Sequence, residues 1–310
     1  MDEYQVKLQQ ILIASGWSQE TLSDKLSVSF VTVNTWVNGK SQPRDKAKEK
    51  IDEVFASILG QNQINPEKLS HIKKLAISKK CSVKKLLENR QILDKITVGF
   101  TFHTNATEGS TMTESDVAEV LFDSKVLSNR TAIEQREAIN HQIALNFLLD
   151  DLYSKGKDFR ISKDLILATH LRLMNGIISN AGQFRNHGVR IQGARVSLAN
   201  FIKIPELINK FATEINEETT DPINLLSRTH ATFEQIHPFS DGNGRVGRLL
   251  LFVKSLSLNI VPPIIRKERR SAYYKYLELA QTESKYDLLE NLLAEEIIET
   301  SENIEAISST

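Results

Sequence analysis

Apolar residues recur at three- and four-residue spacing along most of the chain, which is the period of helices that bury one face. Near the start, Leu8, Ile11 and Leu12, then Leu22, Leu26 and Val28, then Val33, Trp36 and Val37 mark short helices, with Ser18 and Ser29 placed as caps and Gly39 as an end. Further on the same spacing predicts helices near 113–122, 131–154, 161–178, 204–217, 222–236, 245–257 and 267–282. The helix at 113 opens on Thr113 with Asp116 three residues later, the arrangement of a capping box. Only around Gly193, between Val189 and Val196, does alternation replace the helical period, predicting a short β-hairpin. The expected class is therefore all-α, mainly helical: an N-terminal helix-turn-helix bundle, then a helical domain with one small hairpin.

The pattern divides the chain into residues 1–57, a connector over 58–92 that starts with a polar joint at 61–66, a main helical domain over 93–285, and an acidic end over 286–310. That end reads as a peripheral helix running into a frayed tail. The connector is basic: Lys68, Lys73, Lys74, Lys79, Lys80, Lys84, Lys85 and Arg90 stand against Glu67 and Glu88. Such a run is either a solvated helix face or an extension of a nucleic-acid footprint. The 310 residues, 40% of them hydrophobic and 25% charged with a net charge of zero, suit a globular protein with a sizeable core. No apolar run reaches the roughly 18–20 residues of a membrane span. Cys81 is the single cysteine, which excludes a disulfide framework and a cysteine-based zinc site. With Met-Asp-Glu-Tyr-Gln at the start rather than a basic and apolar leader, the expected compartment is the cytoplasm.

The chemistry concentrates in His237-Pro-Phe-Ser-Asp-Gly-Asn-Gly-Arg-Val-Gly-Arg248, between two predicted helices. Gly242 and Gly244 let successive N–H groups turn inward as an anion nest at a helix N-terminus, where the dipole also favours negative charge. Arg245 and Arg248, three apart, reach the same side and can grip phosphate oxygens. Asp241 is misplaced beside such a nest unless a hard cation such as Mg²⁺ intervenes. His237 is the one group in the run able to take a proton near neutral pH. Each piece alone has an ordinary structural explanation: a core histidine, a turn, a solvated arginine face. The conjunction carries the reading of a phosphate-handling site.

The whole run resembles the Fic family signature, His-Pro-Phe-x-Asp/Glu-Gly-Asn-Gly-Arg-x-x-Arg, at every specified position. The resemblance implies transfer of AMP from ATP to a Tyr, Thr or Ser hydroxyl of a target protein. It gives His237 the role of base, Asp241 that of Mg²⁺ ligand, and Gly242, Asn243 and Gly244 that of stabilising phosphate charge. Arg248 would take the γ-phosphate, Arg245 would help fix the nucleotide, and Phe239 would anchor the loop. Thr104-Asn-Ala-Thr-Glu108-Gly109 matches the family's inhibitory pattern, Ser/Thr-x-x-x-Glu-Gly/Asn, although by itself it is also a helix closed by Gly109. On the family reading Glu108 pairs with Arg248 and takes the γ-phosphate's place. Breaking a well-shielded pair of this kind costs about 3–5 kcal/mol, enough to suppress ATP binding about 10²–10³-fold. In some relatives the glutamate also supports AMP removal. The third element is Gly182-Gln-Phe-Arg185 with the hairpin from Val189 to Val196, which resembles the flap on which a target segment docks; its ordinary alternative is a surface hairpin. The family's proline pair is replaced here by Ser197-Leu-Ala-Asn200.

Residues 1–57 resemble a Cro/repressor-type helix-turn-helix, with the opening Ser18-Gln19-Glu20 and the ending Gly39-Lys40. The recognition helix would run from about Ser29 to Asn38, presenting Phe30, Val31, Thr32, Asn34 and Thr35 to DNA, with Gln19 and Lys40 near phosphates. Residues 1–57 hold about as many acids as bases, so non-specific affinity from this module should be poor. A palindromic site would require a homodimer. Two further readings stand beside the transferase: transfer of phosphate or phosphocholine, and a DNA-binding regulator whose second domain only senses nucleotide or partner.

Overall fold

The computed structural model describes residues 2–123, 125–191 and 195–308. Among them fifteen α-helices form, and no strand. The N-terminal bundle consists of α1 (Glu3–Ser15), α2 (Gln19–Leu26), α3 (Phe30–Val37) and α4 (Asp45–Leu59). The Ser18 and Ser29 side chains cap α2 and α3 by accepting from the N–H groups of Thr21 and Thr32. Leu8, Ile11, Leu22, Val33, Ile51 and Ile58 close a core of their own.

The remainder comprises α5 (Pro66–Ser78), α6 (Val83–Glu88), α7 (Arg90–Thr107), α8 (Glu114–Phe122), α9 (Ala132–Lys155), α10 (Lys163–Met174), α11 (Ile204–Glu214), α12 (Pro222–Ile236), α13 (Asn243–Ser257), α14 (Arg270–Glu283) and α15 (Asp287–Ser308). At the centre lies α13, apolar all round as its sequence requires, with Val246, Leu249, Phe252 and Val253 fully enclosed. Phe100 of α7 stacks on Phe252 at 4.6 Å between ring centres, while Leu145, Leu148 and Leu149 of α9 belong to the same core. This packing places Glu108, the residue that closes α7, against the N-terminal end of α13.

Three expectations change. The acidic end is neither peripheral nor frayed over most of its length: α15 buries Leu289, Leu292, Leu293, Ala294 and Ile297 completely. Its glutamates look solvated in sequence, yet Glu290 meets Lys73 at 2.5 Å and Glu296 meets Arg266 at 3.0 Å. The basic connector is correspondingly part of the core assembly, because α5 packs along α15 and its Lys73 is shared between Glu290 and Asp221. The hairpin does not form a ladder among the described residues. Residues 189–191 and 195–196 carry no strand, and the turn at 192–194 lies outside the described residues.

The N-terminal bundle rests on α14 and the helical turn before it. Arg269 donates to the Ser57 carbonyl, and Tyr276 Oη accepts from the Gln61 N–H at 2.7 Å.

Candidate functional site

Asp221 caps α12 and Pro222 occupies its first turn, so the helix begins where the sequence requires. It closes on His237, which adopts the left-handed conformation at φ +49°. A non-glycine residue there is uncommon, and it turns the chain abruptly into the loop. The loop is then fastened from inside. Phe239 is fully buried and lies flat on the His170 ring of α10, 3.6 Å between centres and 2° from parallel. Asn243 accepts from the Phe239 N–H at 2.8 Å and donates to the Phe239 carbonyl at 2.9 Å. The Asn243 amide, expected on phosphate, here spans the loop and holds its shape, because both backbone groups of buried Phe239 need partners.

Gly242, at φ +79°, turns the chain into α13, and a side chain there would run into Met174. The helix that follows has its first N–H groups free of intrahelical partners, as every α-helix does. The Glu108 carboxylate fills the space directly above Gly244, where a Cβ would overlap it. An anion thus sits at the N-terminus of α13, and it belongs to the protein's own chain at the end of α7.

The two arginines are both buried but differently engaged. Arg245 meets Glu137 of α9 at 2.6 Å and Asp241 at 3.6 Å. Arg248 donates to Glu108 at 2.5 Å, to the Thr104 hydroxyl at 2.5 Å and to the Thr104 carbonyl at 3.2 Å. Around Arg248 lie further polar groups: His230 paired with Tyr273 at 2.8 Å, and His141 paired with Thr101 at 2.8 Å. Burial alone would raise the Glu108 pKa, but Arg248, with its charge and hydrogen bond, and then Arg245 hold it below the usual value. Burial pushes Glu234 up to about 8, against the opposing pull of Arg248, so this carboxyl is neutral at neutral pH.

His237 Nδ1 lies 3.2 Å from the Glu234 carbonyl, which can only accept. The proton therefore sits on Nδ1 and the Nε2 lone pair is free. Burial lowers the His237 pKa, and the Arg185 charge lowers it further, so the ring is neutral at neutral pH. Asp241 is the most exposed member, its side chain 58% accessible. Its carboxylate is the candidate ligand, and no group of three metal-binding side chains occurs among the described residues. One such carboxylate with the oxygens of a bound polyphosphate suits Mg²⁺, which keeps most of its ligands from water and phosphate.

Three participants are not legible in the sequence pattern. Glu137 sits on a helix whose outer face is polar, and nothing in the spacing marks it as the partner of Arg245. His170 reads as a core histidine of an amphipathic helix. It accepts from the Gly182 N–H at Nδ1 and therefore donates from Nε2 to the Asp241 carbonyl. Arg185 is legible only as the end of the flap-like element from Gly182; the contacts of its side chain are not. In the N-terminal bundle, Phe30 and Val31 are exposed at the start of α3, Asn34 donates to Gln19 at 3.0 Å, and Thr32 and Thr35 are partly buried beside exposed Lys40.

Fold and site together define a helical protein with an anion-binding loop at a buried helix N-terminus, preceded by a helix-turn-helix bundle. Residues 160–253 match the Fic/DOC family, and residues 8–56 match the helix-turn-helix family. The chain carries both domains. Among curated proteins it is 32% identical to protein adenylyltransferase fic-1 of Caenorhabditis elegans over 185 residues, which are 58% of this chain and 36% of that protein. It is 30% identical to protein adenylyltransferase Fic of Drosophila erecta over 183 residues, again 58% of this chain and 36% of the other. The match thus covers about a third of the length of these relatives. Solved structures share the fold. Fic-1 from Caenorhabditis elegans has a TM-score of 0.66 at 21% identity, covering 99% of this chain and 88% of that one. A Fic family protein from Desulfovibrio desulfuricans has a TM-score of 0.62 at 22% identity, covering 80% and 76%.

Proposed function

We propose that this protein transfers AMP from ATP to a hydroxyl group of a target protein, and that the described conformation is the restrained form. The observation that carries the reading is the Glu108 carboxylate on Arg248, seated over Gly244 at the N-terminus of α13. It occupies an anion site that the loop is built to offer a phosphate. When Glu108 withdraws, Arg248 is free for the terminal phosphate, and the N–H groups of Asn243 to Arg245 face the charge of the reacting phosphate. The target oxygen attacks the α-phosphorus and gives its proton to His237 Nε2. The bond from the α-phosphorus to the bridging oxygen breaks, and pyrophosphate leaves. Asp241 is the residue to hold Mg²⁺, which would neutralise phosphate charge. No covalent bond to the protein is needed; positioning and electrostatics supply the acceleration. Residues 188–191 and 196–201, which line an open groove of about 650 Å³ with Arg185, are the docking place for the target segment.

Removal of AMP would be hydrolysis rather than this step reversed: water, giving its proton to Glu108, attacks the α-phosphorus of the modified target, the bond to the target oxygen breaks, and that oxygen takes a proton from His237. The intact motif with both arginines favours the ordinary ATP orientation over phosphate or phosphocholine transfer. The helix-turn-helix bundle supports DNA binding through α3, so the enzyme would act in the cytoplasm close to nucleic acid, as a homodimer where the DNA site is a palindrome.

The test is transfer of label from α-labelled ATP with Mg²⁺ in a cell lysate, comparing wild type, Glu108→Gly and Glu108→Gly with His237→Ala. Label should rise about 10²-fold in the first variant, as expected for removing a shielded pair, and vanish in the second. Silence in all samples would leave the DNA-binding regulator as the better reading.

A further inference from the structure

Arg185 stands just before the target-docking segment, with only 3% of its surface exposed. A buried guanidinium ordinarily meets a carboxylate, because an unpaired charge in the interior is costly. Here it meets main-chain carbonyls. Nε donates to the His237 carbonyl at 2.7 Å, Nη1 to that of His187 at 2.7 Å, and Nη2 to that of Ala199 at 2.6 Å, with Ile236 at 3.4 Å. The backbone N–H of Arg185 adds a further tie to the same loop, donating to the Pro238 carbonyl at 2.9 Å. The carbonyls held by the side chain come from three places: the end of α12 at His237, the entry to the docking segment at His187, and its exit at Ala199.

We infer that Arg185 is a positioning residue that sets the register between the target-docking segment and His237, so that a hydroxyl held by the one meets the base of the other. The inference rests on the transferase reading above. Its basis is geometric: one planar group with five donors in a fixed fork spans three backbone segments, which a flexible ammonium or a neutral amide cannot reproduce. The carbonyl of left-handed His237 is one of the points held, so Arg185 acts on the base through its backbone, besides lowering its pKa by charge. Gln235 supports the same frame, because its carbonyl accepts from the Ala199 N–H at 3.3 Å. The position of the docking segment is therefore defined relative to the end of α12.

The experiment compares Arg185→Met and Arg185→Lys, each in the Glu108→Gly background, by AMP transfer and by ATP affinity, together with amide hydrogen exchange of 186–191 and 237–241 in the full chain. Displacing the docked hydroxyl by about 1 Å costs about 10²-fold, so Arg185→Met should lower turnover by that factor, with ATP affinity nearly unchanged. Arg185→Lys should recover part of the loss. Exchange should quicken in both segments of Arg185→Met, by about tenfold or more for the loss of hydrogen bonds to a charged group. Unchanged turnover would overturn the inference, as would an equal loss of ATP affinity, which marks a general structural role. If Glu108→Gly itself transfers nothing, the transferase reading fails, and exchange still decides the link: faster exchange in both segments supports it and unchanged exchange overturns it.

Discussion

The N-terminal bundle and the proposed catalytic region are both helical, both closed by aliphatic cores, and they use polar groups in opposite ways. In the bundle no ion pair among the described residues is fully buried: Lys48 with Asp45 and Lys50 with Glu53 lie at the surface, where such pairs contribute little, and Lys7 with Asp52 is part-buried. In the catalytic region Arg245, Arg248, His141, His170, His230 and Glu234 are buried around one loop. Several of their atoms make no hydrogen bond, among them Arg245 Nε and Glu234 Oε1. Unpartnered buried polar groups oppose folding, so their concentration at one place marks where a ligand or water is to be met. The bundle presents its chemistry outward; the catalytic region encloses it.

The largest expected contrast is between two phenylalanines. Phe239 is fully buried on the His170 ring, whereas Phe30 is 49% exposed on α3. Phe239→Ala should cost about 3–5 kcal/mol, as for other core phenylalanines, and Phe30→Ala should stay within about 0.5 kcal/mol. Urea unfolding of the two variants measures both. Equal losses would mean that the loop is not anchored through Phe239, or that α3 packs against something it does not touch here.

A second contrast is in pH. Burial lowers His103 and His170 to about 4, and His141 and His230 to about 3. Each titrates lower in the folded chain than its ordinary value near 6.5, so the folded state is favoured fully above that value. The advantage is lost as pH falls through about 6.5 toward about 4 and then about 3. Residues 1–57 contain no histidine, and both tryptophans, Trp17 and Trp36, lie in them. Circular dichroism should therefore show the melting temperature of most of the helix falling between about pH 6.5 and about pH 4. Tryptophan fluorescence should report a transition that moves less. Coincident shifts of the two signals over that interval would show that the bundle has no stability of its own apart from the catalytic region.

What the sequence makes legible follows from distance along the chain. The loop from His237 to Arg248 is contiguous, and its flanking helices announce themselves by period and cap, so His237, Asp241, Gly242, Gly244 and both arginines stand out together. The capping box at Thr113 with Asp116 is likewise local, and forms. Glu137, His170 and the carbonyls around Arg185 enter the site only through tertiary packing, which no spacing encodes. The same reason explains α15: Glu290 and Glu296 read as solvent-facing until Lys73, Arg266 and Arg269 arrive from elsewhere to pair with them. The helix predicted over 161–178 stops at Met174, where Asn175 and left-handed Gly176 end it. The described residues of the expected hairpin, 189–191 and 195–196, form no ladder, because alternation alone specifies no partner strand.

The smallest effects belong to the outward-facing surface of α3. Asn34 already donates to Gln19, which fixes the amide between α2 and α3 and leaves its second hydrogen for a base edge. Its oxygen accepts from exposed Asn38 at 3.3 Å, a contact that Asn38 can release to a base. Asn34→Ala should leave stability nearly unchanged and weaken binding to a selected operator by about tenfold, within the range of a bidentate base contact. Lys40, exposed just past the end of α3, would meet the DNA backbone instead. Lys40→Ala should weaken binding to all sequences alike and reduce the slope of affinity against salt by about one. Selection from a random-sequence DNA pool, followed by mobility shifts at several salt concentrations, separates the two. If Asn34→Ala and Lys40→Ala lose affinity equally on every sequence, α3 binds DNA by charge alone. If neither changes anything, the outward chemistry of the bundle is directed at a protein, and its contrast with the enclosed catalytic region is one of partner rather than of DNA against nucleotide.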